Sequence, residues 1–274
     1  MQKIRLGFSP CPNDTFIFDA LVNGKIPSNG LEFECHMADV EQLNTMAFNG
    51  LLDVTKCSYH AYAHLYQQYY LLDAGSALGS GVGPLLIAKD SKRFTNTPSP
   101  SIAIPGKYTT AAFLYKSAFG DKGNSSEVLF SDIENAVLQG RFDAGVIIHE
   151  SRFTYAHKGL QLIADLGSLW EEKHKLPIPL GGIIGHRRLG KELASQVSAL
   201  IHTSLQFAFN NPGSSADFIR CNAVELAPEV VLKHINLYVN HYSLSLGAEG
   251  SQAVEYMLKS INGSNYLPQY FEIR

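Results

Sequence analysis

The chain has 274 residues, of which 17% are charged and 11% aromatic, and its formal net charge is −3 at pH 7. Disordered chains combine many charges with few aromatic residues, so this composition predicts a folded protein. A slightly acidic chain has no overall field that would attract nucleic acid or an anionic membrane, and neither is expected as a partner. At about 150 residues per domain, the length predicts two small domains or one large one.

The cysteines and the N-terminal sequence bear on the cellular compartment. Cys11, Cys35, Cys57 and Cys221 lie far apart and show no C-x-x-C or zinc-finger spacing, which predicts reduced thiols and no metal site. The N-terminal residues lack the apolar run of a secretory signal, and no stretch approaches the roughly 20 apolar residues that cross a membrane. We therefore expect a cytoplasmic protein.

The first ninety residues alternate strand-like and helix-like segments. Strands are predicted where apolar and polar residues alternate, and helices where apolar residues recur three and four positions apart. The predicted strands are 3–9, 31–36, 52–58 and 84–88, and the predicted helices are 16–24, 40–50 and 59–69. Asn13 or Asp14 is expected to cap the first helix. The alternation favours a mainly parallel sheet with helices on its faces.

A glycine-rich loop over 75–86 and a polar, turn-rich stretch over 89–100 interrupt this pattern, which then starts again. The predicted strands are 101–104, 127–130, 144–149 and 160–166, and the predicted helices are 109–119, 132–140 and 151–158. A crossing rich in Pro and Gly follows at 177–185, and the rest is predicted to be helical only, at 193–209, 228–240 and 249–261.

These elements predict an α/β fold with two lobes and a helical C-terminal tail. Residues 1–90 and 184–274 would form a large discontinuous lobe, and residues 91–183 a small inserted lobe. Open α/β sheets bind ligands at the carboxyl ends of their strands, so we expect the site in a cleft between the lobes.

The common catalytic signatures are absent from the sequence. The glycines at 79–83 do not form G-x-G-x-x-G, and the chain contains no phosphate-binding G-x-x-x-x-G-K-[ST], no H-E-x-x-H and no G-x-S-x-G. The sequence therefore gives no support for a nucleotide cofactor, a zinc protease or a serine hydrolase.

Two polar segments follow predicted strands. Thr109 and Thr110 open a helix, where free N–H groups suit a carboxylate or a phosphate, although ordinary helix capping explains them equally well. Lys56, Cys57 and Ser58 end a strand of the first lobe. Because no partner base for Cys57 can be identified, packing at the strand end is the commoner role for such a residue.

His149 is the sharpest local feature of the sequence. It ends a continuous apolar strand and is followed by Glu150, Ser151 and Arg152. A lone histidine is more often structural, but a position at the carboxyl end of a strand favours a functional role. Imidazole, with an ordinary pKa of about 6.5, suits proton transfer near neutral pH, so His149 is the candidate general base.

Six segments carry a family resemblance, and they occur in the expected order along the whole chain. They are FSPCPNDTFIF (8–18), TKCSYHAYA (55–63), ALGSGVGPLLIAK (77–89), PGKYTTAAFL (105–114), GVIIHESRFTY (145–155) and LPIPLGGI (176–183). Together they resemble the 1,4-dihydroxy-6-naphthoate synthase family of the futalosine route to menaquinone.

The resemblance implies a fold similar to type II periplasmic binding proteins and a lyase that needs no cofactor. Its substrate would be cyclic dehypoxanthinylfutalosine, a small aromatic carboxylate, and a homodimer is kept as a hypothesis. It also implies a role for each matching residue. The proton acceptor would be His149, and the substrate contacts would be Lys56, Cys57, Ser58, Thr109, Thr110 and Ala111, with Asp14 and Arg152 as further candidates. The family pattern has an aliphatic residue at position 57, so the cysteine is a departure.

Three alternatives stay open. A solute-binding protein of the same fold would carry a signal or a lipid anchor. A ligand-sensing regulatory domain would carry a DNA-reading helix pair or a basic stripe. The sister enzyme that dehydrates a chorismate-type substrate would share the fold and the route, but the IIHES segment at 147–151 is not expected in it.

Overall fold

The computed structural model describes residues 2–120, 122–211, 213–223 and 227–263, and the backbone of 272–273. The chain divides into two compact units. Unit 1 comprises Met1–Gly79 and Pro179–Arg274, and unit 2 comprises Ser80–Ile178. Within the described ranges, no helix is long and apolar enough to cross a membrane.

Unit 1 is built on a six-stranded sheet. Its strands, labelled in chain order, are β1 (Gln2–Phe8), β2 (Leu31–Met37), β3 (Val54–Ser58), β4 (Tyr69–Gly79), β10 (Ile178–His186) and β11 (Glu272–Ile273). They are arranged in the order β11-β4-β10-β3-β1-β2. β1 pairs in parallel with β2 and β3, whereas β10 runs antiparallel to β3. The sheet is therefore mixed: β1, β2 and β3 pair in parallel, as predicted, and so do β11 and β4, whereas β10 is an antiparallel exception.

Two glycine-rich segments that resemble loops in the sequence are strands of this sheet. Residues 75–79 belong to β4, and residues 178–185 belong to β10. The glycines of β10 serve close packing, because a Cβ at Gly181 or Gly182 would lie 2.9 Å from Cys57 O or from Tyr59 Oη. Glycine selected for close approach has the same sequence signature as glycine in a turn. The prediction that the C-terminal ninety residues are only helical is also wrong, since β11 pairs with β4.

The helices of unit 1 pack on this sheet and on one another. They are α1 (Pro12–Val22), α2 (Val40–Phe48), α3 (Tyr59–Leu65), α9 (Gly190–Asn210), α10 (Ala216–Asn222), α11 (Pro228–Tyr238), α12 (His241–Leu244) and α13 (Gly247–Asn262), with a 3-10 turn at Arg187–Leu189. The predicted apolar stripe of α9 is buried at Val197, Ile201 and Leu205. Burying side chains of this size stabilises the fold by roughly 1.5–3 kcal/mol each.

Helix α1 begins one turn earlier than predicted. Its N-cap residue is Cys11, and Pro12 occupies the first helical position, where a missing N–H costs nothing. Asn13 and Asp14 lie inside the first turn, so the prediction that one of them caps the helix is wrong. Their side chains are used in the buried contacts described below.

Unit 2 contains a second mixed sheet. Its strands are β5 (Leu85–Ala88), β6 (Ser101–Ile104), β7 (Asn124–Glu127), β8 (Ala144–Ile147) and β9 (Gln161–Asp165), arranged in the order β7-β6-β8-β5-β9. β6 runs parallel to β7 and β8, and β5 runs antiparallel to β8 and β9. β5 lies in the range predicted for the large lobe but pairs in the sheet of unit 2.

The helices of unit 2 alternate with its strands. They are α4 (Ser91–Asn96), α5 (Thr110–Phe119), α6 (Ile133–Leu138), α7 (Ser151–Thr154) and α8 (Leu166–His174), with 3-10 turns at Phe130–Asp132 and Tyr155–Lys158. The core of the unit joins Ile87 and Ile147 of the sheet to Ile133 and Val137 of α6. This packing fixes α6 against the strand that leads to His149.

Candidate functional site

Asp14 and Lys56, which were predicted on separate elements, form a buried ion pair in unit 1. Lys56 Nζ lies 3.3 Å from Asp14 Oδ1. It also donates a hydrogen bond of 3.0 Å to the Gly75 carbonyl oxygen. Asp14 Oδ2 accepts hydrogen bonds from the backbone N–H and the hydroxyl of Ser9, at 3.0 and 2.7 Å. A buried ion pair offsets its desolvation only when further hydrogen bonds satisfy both partners, and these contacts do so.

Hydrogen bonds through Asn13 connect the ion pair to α11. Asn13 Nδ2 donates to Asp14 Oδ1 at 2.8 Å, and Asn13 Oδ1 lies 2.9 Å from Nε2 of the fully buried His234 in α11. We call Ser9, Asn13, Asp14, Lys56 and His234 the unit 1 polar cluster. No sequence signal marks His234, because a contact between residues 221 positions apart depends on the tertiary fold.

Ser58 is held by an asparagine for which the sequence has no local signal. The fully buried Asn44 of α2 accepts the backbone N–H of Ser58 at 2.9 Å and donates to its Oγ at 3.2 Å. Glu41 fixes the same amide by accepting its second N–H at 2.9 Å. The hydroxyl of Ser58 therefore has a defined position, with its own proton available as a donor.

Cys57, between Lys56 and Ser58 in the chain, has a fully buried side chain. Burial raises the pKa of its thiol, with a smaller contribution from the negative charge of Glu41. Because the thiolate is the nucleophile, a raised pKa argues against nucleophilic catalysis by this residue. A substrate contact at position 57 would have to use the backbone.

In unit 2, Thr109 is the N-cap of α5, as capping chemistry predicts. Its hydroxyl accepts the Ala112 N–H at 3.2 Å and donates to the Gly106 carbonyl oxygen at 2.8 Å. Thr109, Thr110 and Ala111 are each at least 96% buried within the structure. The helix start is thus well ordered, and its contact with substrate stays a prediction.

His149 has an uncommon backbone conformation. β8 ends at Ile147, two residues earlier than predicted, because His149 has φ = 58°, in the left-handed region. A non-glycine residue in this region costs of order 1–3 kcal/mol, and such strain clusters at functional sites. The imidazole is partly exposed, and its ring meets that of Phe130 edge-on at a centroid distance of 5.1 Å.

Arg152 anchors the segment that follows His149. Its guanidinium donates to the Gly83 carbonyl oxygen at 2.8 Å and to Asp165 Oδ2 at 3.4 Å. Asp165 also caps α8 through the N–H groups of Gly167 and Ser168. A guanidinium has five donors, so these contacts leave room for the predicted role in substrate binding.

A family model described as menaquinone biosynthesis matches residues 4–262 of the chain. A 1,4-dihydroxy-6-naphthoate synthase of Thermus thermophilus is 44% identical over 254 residues, covering 93% of this chain and 92% of the relative. The enzyme of the same name from Streptomyces coelicolor is 36% identical over 272 residues, covering 97% and 95%.

Solved structures show the same fold. A protein of Archaeoglobus fulgidus superposes with a TM-score of 0.87 at 35% identity, covering 95% of this chain and 98% of that one. The alkanesulfonate-binding protein of Xanthomonas axonopodis pv. citri, solved with MOPS bound, has a TM-score of 0.71 at 14% identity, covering 100% and 96%. The fold is therefore that of periplasmic-binding-protein-like molecules, as expected from the sequence.

Proposed function

The chain belongs to the menaquinone biosynthesis family, and we propose that it converts cyclic dehypoxanthinylfutalosine to 1,4-dihydroxy-6-naphthoate. Both curated relatives carry the name of the enzyme that makes this product. The reaction is a carbon–carbon bond cleavage followed by aromatisation, so the protein would act as a lyase. We expect it to act in the cytoplasm.

The observation that carries the catalytic part of the proposal is the left-handed backbone of His149 at the end of β8. In the proposed reaction, its imidazole takes a proton from the polyhydroxylated ring of the substrate. The electron pair left behind allows a carbon–carbon bond to break, and the sugar-derived fragment leaves. The imidazolium then returns its proton to the carbon that received the electron pair of the broken bond, so the base is regenerated, no electrons are gained or lost and no redox cofactor is needed. General-base catalysis of this kind contributes about 10²–10⁴-fold.

The remaining candidates would bind and orient the substrate. The N-terminus of α5, at Thr110 and Ala111, suits the carboxylate because the helix dipole favours an anion there. The hydroxyl of Ser58, fixed by Asn44, would donate to a substrate oxygen. Lys56, held by Asp14, would contact the substrate, and Arg152 would bind it with guanidinium N–H groups other than those on Gly83 and Asp165.

Conversion of the substrate tests this proposal directly. The purified protein is incubated with cyclic dehypoxanthinylfutalosine, and the products are separated and identified by mass spectrometry. We expect 1,4-dihydroxy-6-naphthoate and a released fragment whose mass accounts for the remaining atoms. If the substrate is bound but recovered unchanged, a solute-binding role is favoured instead, which is the role named for the alkanesulfonate-binding neighbour. The homodimer stays a prediction, which light scattering can check.

A further inference from the structure

A buried carboxylate lies beneath the segment that carries His149. Glu134 of α6 is 4% exposed, and its Oε2 accepts two hydrogen bonds, from Ser151 Oγ at 3.0 Å and from Lys158 Nζ at 2.7 Å. Among the described residues, Oε1 of the same carboxylate is buried without a hydrogen-bond partner. A half-satisfied buried carboxylate is unfavourable for folding, so its presence calls for another explanation.

The ion pair with Lys158 does not supply that explanation. The side chain of Lys158 is 47% exposed, so water screens its ammonium and the pair stabilises the fold less than a fully buried pair would. An acidic residue at the surface of the same unit could provide as much without burying a charge. The other partner, Ser151, is different because it lies two residues after His149 and begins α7.

The backbone around His149 needs to be held. We call residues 148–151 the His149 turn. A left-handed non-glycine residue persists only where its surroundings over-determine it. The chain leaves β8 at Ile147, and four residues later the hydroxyl of Ser151 donates a hydrogen bond to Glu134 of α6. Arg152 supplies a second anchor one residue later, on Gly83 and Asp165.

We propose that Glu134 is a positioning residue, which fixes the His149 turn through the hydroxyl of Ser151 and so aims the imidazole at the substrate. This inference rests on the proposed role of His149 as general base. Glu134 itself touches no reacting atom in this account. Its charge serves to make a strong acceptor for the serine, since hydrogen bonds to an ionised group are about twice as strong as neutral ones.

The test compares the two partners of the same carboxylate oxygen. Ser151→Ala and Glu134→Leu remove the anchor, Ser151→Thr retains the hydroxyl, and Lys158→Met removes only the exposed partner. The first readout needs no substrate: the backbone chemical shifts of His149, in protein labelled with ¹³C and ¹⁵N histidine, report the sign of φ. The His149 signal is assigned by its loss in His149→Asn.

We expect Ser151→Ala and Glu134→Leu to shift or broaden the His149 signal, and the double variant to add no further change. Ser151→Thr and Lys158→Met should leave the signal in place. On the substrate, loss of the anchor should lower kcat by about 10²-fold with KM unchanged, because small misplacements of a catalytic group are that costly. Ser151→Thr should restore the rate.

An unchanged His149 signal in Ser151→Ala would overturn the proposal, and so would an equal effect of Lys158→Met. The proposed function and the positioning role of Glu134 can be contradicted independently of each other. If the wild-type protein does not convert the substrate, the proposed function is wrong, and the chemical shifts still decide whether Glu134 holds the turn.

Discussion

The unit 1 polar cluster and the His149 turn are held in opposite ways. In unit 1, Asp14 and Lys56 are nearly completely buried, and each has hydrogen-bond partners that compensate its charge. In unit 2, His149 is partly exposed and its backbone is strained. The comparison suggests a division of roles: the unit 1 polar cluster stabilises the fold around its strand ends, and the His149 turn stores strain in order to present one side chain.

The largest effect on stability should come from breaking the buried ion pair. Lys56→Met leaves the carboxylate of Asp14 buried without its cation, and loss of one partner of such a pair typically costs 3–5 kcal/mol, so we expect a loss of about 3 kcal/mol. Urea unfolding of the wild type and of Lys56→Met measures this difference in the free energy of unfolding. Lys3→Met is the matched control, because Lys3 pairs with Glu34 at the exposed surface. Equal free energies of unfolding for Lys56→Met and Lys3→Met would contradict a stabilising role of the unit 1 polar cluster.

Acid should destabilise unit 1 through a second buried carboxylate. Burial alone would raise the pKa of Asp53, but hydrogen bonds from Arg5 and Arg188 outweigh it and lower the pKa to about 2. A carboxyl with a lower pKa in the folded state stabilises the fold above its ordinary pKa of 3.8, and this stability is lost as the pH falls toward 2. The contribution is about 2 kcal/mol at neutral pH.

Asp53→Asn should therefore remove part of the slope of unfolding free energy against pH between about 4 and 2. Asp217→Asn serves as the control, because Asp217 is 86% exposed beside Arg220 and should leave the slope as in the wild type. An unaltered slope in Asp53→Asn would show that this carboxyl is not responsible.

A smaller effect should reveal the strain at His149. His149→Ala and His149→Gly both remove the imidazole, so the difference between them reports the backbone. At φ = 58° glycine should be more stable than alanine, by about 1 kcal/mol. At His157, in the 3-10 turn Tyr155–Lys158, the same pair should show the usual order, with alanine more stable. Thermal unfolding of the four variants compares them, and the usual order at both positions would argue against strain.

The sequence predicts the positions of most elements but not the use of its glycines. The apolar stripe of α9 follows from its periodicity, and the strand leading to His149 follows from a continuous apolar run; both signals depend only on neighbouring residues. β10 and the end of β4 were predicted as a crossing and a loop, because glycine in a tightly packed strand has the composition of a turn. The pairing direction of β10 against β3 depends on the path of the whole chain.

In the candidate site, too, local sequence patterns predict some residues, and contacts between distant parts of the chain determine the others. Position at a strand end was enough to single out Lys56, Ser58 and His149. Asn44, His234 and Glu134, which contact these segments, are single polar residues within predicted helices, and such a residue has no local sequence signal of burial. Only the tertiary fold brings them against their partners. The left-handed backbone of His149 likewise has no local signal, since it follows an uninterrupted apolar strand.

The most direct measurement of the central claim is the turnover of His149→Asn with cyclic dehypoxanthinylfutalosine. Asparagine tolerates the left-handed conformation, so the turn should persist while the base is lost. We predict that kcat falls by about 10²–10⁴-fold while the free energy of unfolding stays near that of the wild type. His157→Asn, an exposed histidine of the same unit, should keep wild-type turnover. Wild-type turnover by His149→Asn would contradict the account.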